Sequence, residues 1–369
     1  MPEDSRQLLL HDLLLLRAQP EAGKPRHVTD GGFVNHRRGT VAEHRRGGWY
    51  RRSMDGELEL IRRIADRAGV RGGVATGIGD DAAVLDDGTV LALDMVVDGV
   101  HVRRATHSFG DIAHTALAVN LSDVAAMGAL PVAALIGLGL PEDVRGDDVD
   151  AMYADMEDLA DAHGMSIVGG DVSASPVLTV SVAIVGRPTA GIRPVLRSTG
   201  RPGDTLVVTG PLGASAAGLM VLRDPALAAG IPEADALVKT HLRPRPRVAD
   251  GVHLAEAGAT AMIDISDGLL LDADRMARAS GLAADIDLEA LPMAPGVVAT
   301  AGAAGVDPAL LAATGGEDYQ LLAAIPPSAG LEPHLTVIGQ LRDGDPGVRA
   351  MRSGRDVTPA RLGWEHRGA

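Results

Sequence analysis

The chain has no cysteine, which excludes disulfides, thiolate metal centres and cysteine nucleophiles. Aromatic residues are 2% of the composition, and after Met54 only Phe109, Tyr153, Tyr319 and Trp364 remain. Any core must therefore be built from Leu, Val, Ile, Ala and Met. Lysine is equally scarce: Lys239 alone follows Met54. There is no G-x-x-x-x-G-K-[ST], no strand lysine with a His-Arg-Asp loop, no G-x-S-x-G and no H-E-x-x-H. P-loop enzymes, protein-kinase layouts, nucleophile-elbow hydrolases and zincins fall away together. No apolar run approaches the roughly 18 residues of a membrane span. The longest early run, Leu8 to Leu10 and Leu13 to Leu16, is broken by His11 and Asp12 and lacks a signal-peptide layout. A cytoplasmic protein with no membrane partner is the expectation.

Basic charge is also in short supply. The formal net charge is −15, which argues against nucleic acid as the main partner. Residues 1–53 carry ten basic against six acidic side chains, and the remainder 24 against 43. An acidic protein still binds anions when metal cations stand between them. The Arg/Gly/His clusters of residues 1–53, such as His36-Arg37-Arg38-Gly39, have no helical or strand period. They read as a disordered basic extension, or as upstream sequence ahead of a start at Met54.

From Met54 the pattern is globular, and 369 residues suggest two domains. Helices are expected at Glu57–Ala68, Asp111–Met127, Asp147–His163, Gly213–Leu222, Arg247–Ala257, Leu269–Ala279 and Gly296–Ala304. Strands are expected at Val90–Val97, Val132–Leu140, Ser166–Val168, Leu178–Val185, Thr205–Val208, Ala261–Ile263, Ala284–Ile286, Leu321–Ala324 and Leu335–Ile338. The Gly/Pro/Arg-rich stretch Gly186–Gly203 reads as the crossing between domains at 54–190 and 200–369. The alternation predicts α/β in both halves, with mixed α+β sheets as the alternative.

What the chain has in quantity is aspartate set in apolar and glycine-rich turns. Five separated segments place a carboxylate within or at the end of an apolar element: Gly77-Ile78-Gly79-Asp80-Asp81, Leu93-Asp94-Met95, Asn120-Leu121-Ser122-Asp123, Gly169-Gly170-Asp171 and Asp264-Ile265-Ser266-Asp267-Gly268. An aspartate in a buried strand, as Asp94 is read here, is costly unless paired or bound to metal. Oxygen-rich, thiol-free sites favour hard cations such as Mg²⁺, which shares its shell with phosphates. Gly169-Gly170 lets backbone amides approach a phosphate. The residues alone point to Mg²⁺-dependent phosphoryl transfer with no substrate named.

These motifs, with His241-Leu242-Arg243-Pro244-Arg245-Pro246-Arg247, Gly315-Gly316-Glu317-Asp318-Tyr319 and Gly363-Trp364-Glu365-His366, resemble those of the thiamine-monophosphate kinases. That family belongs to the superfamily of aminoimidazole ribonucleotide synthetase. The resemblance runs from about Glu57 to His366. It implies two α/β domains, a homodimer formed through the N-terminal domain, and ATP and metals in the cleft between domains. The implied reaction is direct, in-line transfer from ATP to thiamine phosphate. Carried over by position, Asp80, Asp94, Asp123, Asp171 and Asp264 resemble Mg²⁺ ligands, with Asp267 a further one, and Asp123, Asp171 and Asp264 carry the transfer. Tyr153, Gly170, Asp171, Arg197 and Ser266 resemble ATP-binding positions. His101, Glu317 and Trp364 resemble the thiamine-phosphate contacts, where a carboxylate and an aromatic face suit a cationic ring.

The family pattern has Ser-Thr ahead of the strand aspartate, where this chain has Ala92 and Leu93. The absence of cysteine argues against the selenophosphate synthetase and hydrogenase-maturation branches. Two alternatives stay open: another ATP-dependent enzyme of aminoimidazole ribonucleotide synthetase type, and a non-catalytic nucleotide-binding protein.

Overall fold

A computed structural model describes residues 57–330 and 333–364. The expectations for residues 1–53 and for Glu365-His366 lie outside the described residues.

In the first half the order is α1 (Glu57–Ala68), β1 (Val74–Thr76), β2 (Ala83–Leu85), β3 (Val90–Val97), α2 (Phe109–Ala126), β4 (Ala129–Leu140), α3 (Gly146–Ala162), β5 (Ser166–Ala174) and β6 (Thr179–Pro188). The six strands form one sheet in the order β1-β2-β3-β6-β4-β5. It is antiparallel except for the β4–β5 pair. In β6 the even-numbered residues Val180, Val182 and Ile184 are buried, the period-2 signature of a sheet packed on one face.

In the second half follow β7 (Thr205–Val208), α4 (Ala214–Arg223), α5 (Ala234–Leu242), α6 (Val248–Glu256), β8 (Ala261–Asp264), α7 (Leu269–Ser280), β9 (Ala283–Asp287), α8 (Val297–Ala304), α9 (Pro308–Thr314), β10 (Leu321–Ile325), β11 (Thr336–Arg342), β12 (Gly347–Arg352) and β13 (Arg355–Asp356). Seven strands form a second sheet, β13-β12-β9-β11-β7-β10-β8, antiparallel except for β9–β12. Both sheets are therefore mixed.

Helix α2 joins the halves. Its sequence, Phe-Gly-Asp-Ile-Ala-His-Thr-Ala-Leu-Ala-Val-Asn-Leu-Ser-Asp-Val-Ala-Ala, has no continuous polar face, and a helix apolar all round must be enclosed. Ser108 starts it with a capping box: its Oγ accepts from the Asp111 N–H at 3.1 Å while the Asp111 carboxylate accepts from the Ser108 N–H at 3.1 Å. The helix lies against β3, β4 and β6 on one side and β8 and α6 on the other. Its Ile112, Leu117, Leu121 and Val124 share one core with Val207, Met262, Leu321 and Ala323 of the second sheet. Gly251 of α6 permits the approach: a Cβ there would lie 2.1 Å from the Ala125 carbonyl oxygen.

Strand β3 is half open. Strand β2 pairs with β3 at Val90 and Leu91, so from Ala92 onward the β2-side edge of β3 has no neighbouring strand among the described residues. Leu93 (60% exposed) and Met95 (50%) face outward, whereas Ala92 and Val96 are buried. The expectation of a buried strand at Asp94 is corrected here. The sheet has one covered face, and Asp94 lies on that covered side where the open edge exposes it. Among the described residues, no single helix is long and apolar enough to cross a membrane.

Candidate active site

Three segments bring carboxylates to one point between the halves. Asp81 comes from the Gly-Ile-Gly-Asp-Asp turn between β1 and β2, Asp123 from the last turn of α2, and Asp264 from the end of β8. Each offers an oxygen within 4.8 Å of the others. Neighbours in α2 hold this junction. Ser122 Oγ, fully buried, donates to Asp264 Oδ2 at 2.6 Å, linking the first half to the second. Asn120 Oδ1 accepts from the Asp94 N–H at 2.9 Å, and its Nδ2 donates to the Ala116 carbonyl at 2.9 Å. The Asn-Leu-Ser-Asp run thus pins β3, bridges to β8 and supplies a carboxylate within one helical turn.

Crowding and burial resist ionisation here. Burial, then Asp94 and Asp264, hold the Asp123 carboxyl well above the usual carboxylate range. Burial, then Asp81, do the same to Asp264, against the hydrogen bond from Ser122. Asp80 is pushed up to about 6 by burial and by Asp81. Asp94 is open to the cavity, yet enough protein surrounds it to raise its carboxyl, and Asp267 and Asp81 add to that. Arg197 supplies the main positive charge, with its Nη2 on Asp81 Oδ1 and its backbone N–H on Asp80 Oδ2 at 3.1 Å. Even so, the buried Asp81 Oδ2 has no hydrogen-bond partner among the described residues. An all-oxygen set of this kind, with one oxygen unpaired among the described residues, has the donor chemistry that fits a hard divalent cation.

Beside this cluster lies a loop built on Asp272, in the first turn of α7 and fully buried. Its Oδ2 accepts from the N–H groups of Ser266, Asp267 and Gly268 at 3.0–3.1 Å. Burial, then Asp267, push it up to about 7. Arg275 Nη1 is 2.7 Å from both Asp267 Oδ2 and Asp272 Oδ1.

The cavity over these groups has a volume near 1090 Å³. Of the residues expected at the site, Asp80, Asp94, Asp123, Asp264, Asp267, Arg197, Ser266, His101, Glu317 and Trp364 line it. His101 Nδ1 accepts from the Val97 N–H at 3.1 Å. Trp364 is anchored by its backbone N–H to the Asp267 carbonyl at 2.8 Å, and Arg361 Cζ lies 5.7 Å from its ring centroid. Glu317 has a left-handed backbone (φ 66°), set by its N–H on the Ser266 carbonyl at 2.7 Å.

Three expected residues are not brought to this cavity. Tyr153 of α3 packs against the core of the first half. Gly170 and Asp171 lie on β5, the exposed edge strand. Gly170 is pressed on β4, where a Cβ would lie 1.8 Å from the Ile136 carbonyl oxygen. Cross-strand pairing runs Met95–Ser181–Gly137–Asp171, one row from Asp94–Val182–Ile136–Gly170. Adjacent rows face opposite ways, so Asp171 and Asp94 sit on opposite faces of the sheet. Sequence reasoning passed over Asp81, Asp272 and Arg275. The Asp80-Asp81 doublet marked its turn but not which carboxylate turns inward. Asp272, following Leu269-Leu270-Leu271, carried a signal of its own, an acidic side chain directly after an apolar run in the first turn of an amphipathic helix.

Comparisons with known proteins give the chain's family and fold. Residues 79–187 match the family model described as AIR synthase related protein, N-terminal domain, and residues 201–348 its C-terminal domain. The sequence is 37% identical over 327 residues to the thiamine-monophosphate kinase of Salmonella typhimurium, covering 84% of this chain and 98% of the relative. It is 37% identical over 300 residues to that of Methanopyrus kandleri, covering 81% and 93%. Among solved structures, AaThiL complexed with AMPPCP and TMP superposes with a TM-score of 0.76 at 35% identity, over 85% of this chain and 97% of that one.

Proposed function

The chain belongs to the thiamine-monophosphate kinases of the AIR synthase related family, and from that premise we propose that it phosphorylates thiamine phosphate with ATP, giving thiamine diphosphate and ADP. One observation carries the reading: Asp81, Asp123 and Asp264, from both halves of the chain, converge on the floor of a cavity whose wall presents Glu317 and Trp364. Of the similar proteins, AaThiL has been seen with AMPPCP, an ATP analogue, and TMP.

Asp81, Asp123 and Asp264 would hold Mg²⁺, with Asp80, Asp94 and Asp267 close by. The ion supplies charge neutralisation for the transferring phosphoryl group. The chain's own groups do the rest. Arg197 and Arg275 keep positive charge beside the carboxylates, so a polyphosphate meets partly compensated rather than bare anions. Ser122 and Asn120 fix the carboxylate positions, which is the preorganisation that phosphoryl transfer depends on. Glu317 and the Trp364 ring face the cavity where a thiazolium would be held. The acceptor is itself a phosphate, ionised at neutral pH, so no strong general base is needed and no phosphoenzyme intervenes.

The proposal includes a homodimer. The outward face of the first sheet carries Leu93, Met95, Val132 and Leu135, all at least 40% exposed, and ends at the unpaired edge of β5. Such a face calls for a partner. Asp171 stands on that face, so the reading assigns its carboxylate, and the neighbouring Gly170, to a site completed across the dimer. A cytoplasmic location belongs to the same proposal.

The test is product formation from MgATP, with thiamine phosphate, thiamine or no acceptor. Thiamine diphosphate formed only from thiamine phosphate supports the reading. ATP binding with no turnover on thiamine phosphate overturns it in favour of a non-catalytic nucleotide binder.

A further inference from the structure

The run His241-Leu242-Arg243-Pro244 has no part in the transfer described above, yet it is tied into both halves. The Leu242 carbonyl accepts from Thr115 Oγ1 at 3.2 Å, and the Pro244 carbonyl lies 2.9 Å from His114 Nε2. Arg243 pairs with Asp111 and Asp155. At the head of this run His241 is 6% exposed. Its Nδ1 lies 2.9 Å from Ser215 Oγ and 3.2 Å from Glu317 Oε2, and its ring stands edge-on to His107 with centroids 5.7 Å apart. Ser215 is fully buried, which excludes it as a nucleophile for any substrate in the cavity.

An ionised carboxylate only accepts, so a hydrogen bond to Glu317 requires the hydrogen on Nδ1, where it faces the carboxylate and Ser215 Oγ together. Glu317 needs such a hold. Its left-handed backbone is unfavourable for a residue with a side chain and persists only where the surroundings over-determine it. The backbone N–H on Ser266 fixes one end; the His241 ring fixes the other.

We propose that His241 is a positioning residue: from the covered side of the cavity wall it aims the Glu317 carboxylate at the cationic ring of thiamine phosphate. This rests on the substrate reading above. From the first half, His107 stands against the same ring.

The experiment is steady-state kinetics on His241→Leu, which removes the donor, and on His241→Asn, whose amide nitrogen stands close to where Nδ1 stands. His241→Leu should raise KM for thiamine phosphate about tenfold, the loss of one charge-assisted hydrogen bond, and leave KM for ATP nearly unchanged. His241→Asn should recover most of that loss. In a Glu317→Gln background, His241→Leu should add nothing. A parallel rise in both KM values, no rescue by asparagine, or additivity with Glu317→Gln overturns the role of His241. If wild-type enzyme does not turn over thiamine phosphate at all, the substrate reading fails and takes this role with it. Should His241→Leu not fold, long-range ¹H–¹⁵N spectra of the wild type decide, with an Nδ1–H tautomer at His241 expected and an Nε2–H tautomer contrary.

Discussion

Asp123 sits among carboxylates that the fold forces together before any cation arrives. Its folded pKa lies above the value of about 3.9 for an unfolded aspartate, so the folded protein holds a proton that the unfolded chain has released. That contribution to stability is whole below the unfolded pKa and fades as pH rises toward the folded one. Asp123→Asn removes the effect. It should lower turnover on the order of 10³-fold and raise the melting temperature of metal-free protein, more at pH 8 than at pH 5. Equal or lower melting temperatures at both pH values would contradict the electrostatic account. On the function proposed above, the same protons leave when Mg²⁺ binds. With Asp80 at about 6 and Asp123 and Asp264 well above the usual range, affinity should weaken as pH falls from 8 to 6, by about tenfold per unit for each proton released. Calorimetry in two buffers of different ionisation enthalpy would count those protons. Much of this centre was legible beforehand, because an aspartate closing an apolar strand or following Asn-x-Ser is chemically conspicuous. Choosing Asp81 over Asp80 as the convergent carboxylate was not, since neighbours in one turn differ only in which way the backbone throws them. Asp171 shows the complementary limit: its motif is plain, but the face on which it stands depends on strand pairing.

At the scale of elements, the long periodic segments were readable and the short ones were not. The span of α1 and the strands at Val90–Val97 and Thr205–Val208 agree with the periodicity, whereas β1 and β2, three residues each, are too short to show a period. Helix α9 had a start signal that went unused: Asp307 accepts from the N–H groups of Ala309 and Leu310, with Pro308 at the first position. The contact between α2 and α6 is set by Gly251 rather than by hydrophobic pattern. Gly251→Ala should therefore cost about 2 kcal/mol, as overpacking of a close crossing does, even though alanine favours helices. Chemical denaturation would read it, and an unchanged midpoint would show that α2 and α6 can part without penalty. The mixed sheets, by contrast, follow from long-range pairing that no local window contains.

For the whole molecule, the decisive surface is the outward face of the first sheet. Leu135 lies at its centre on β4, 50% exposed and paired with Ala183 and Gly169. Leu135→Lys should leave a folded monomer by analytical ultracentrifugation, with activity falling in step with dimer content. A mixture of Asp123→Asn and Asp171→Asn chains should regain part of the wild-type rate if Asp171 acts across the interface, and stay inactive if it serves its own chain. The placement of α2 has a further consequence. One helix covers a face of both sheets, so residues 201–348, which match a family model separate from that of residues 79–187, keep when severed only the core on the far face of their sheet. Cutting the chain between them would strip the cover from Val207, Met262, Leu321 and Ala323. Melting should accordingly occur as one cooperative event, so thermal denaturation cannot silence one half of this enzyme while sparing the other.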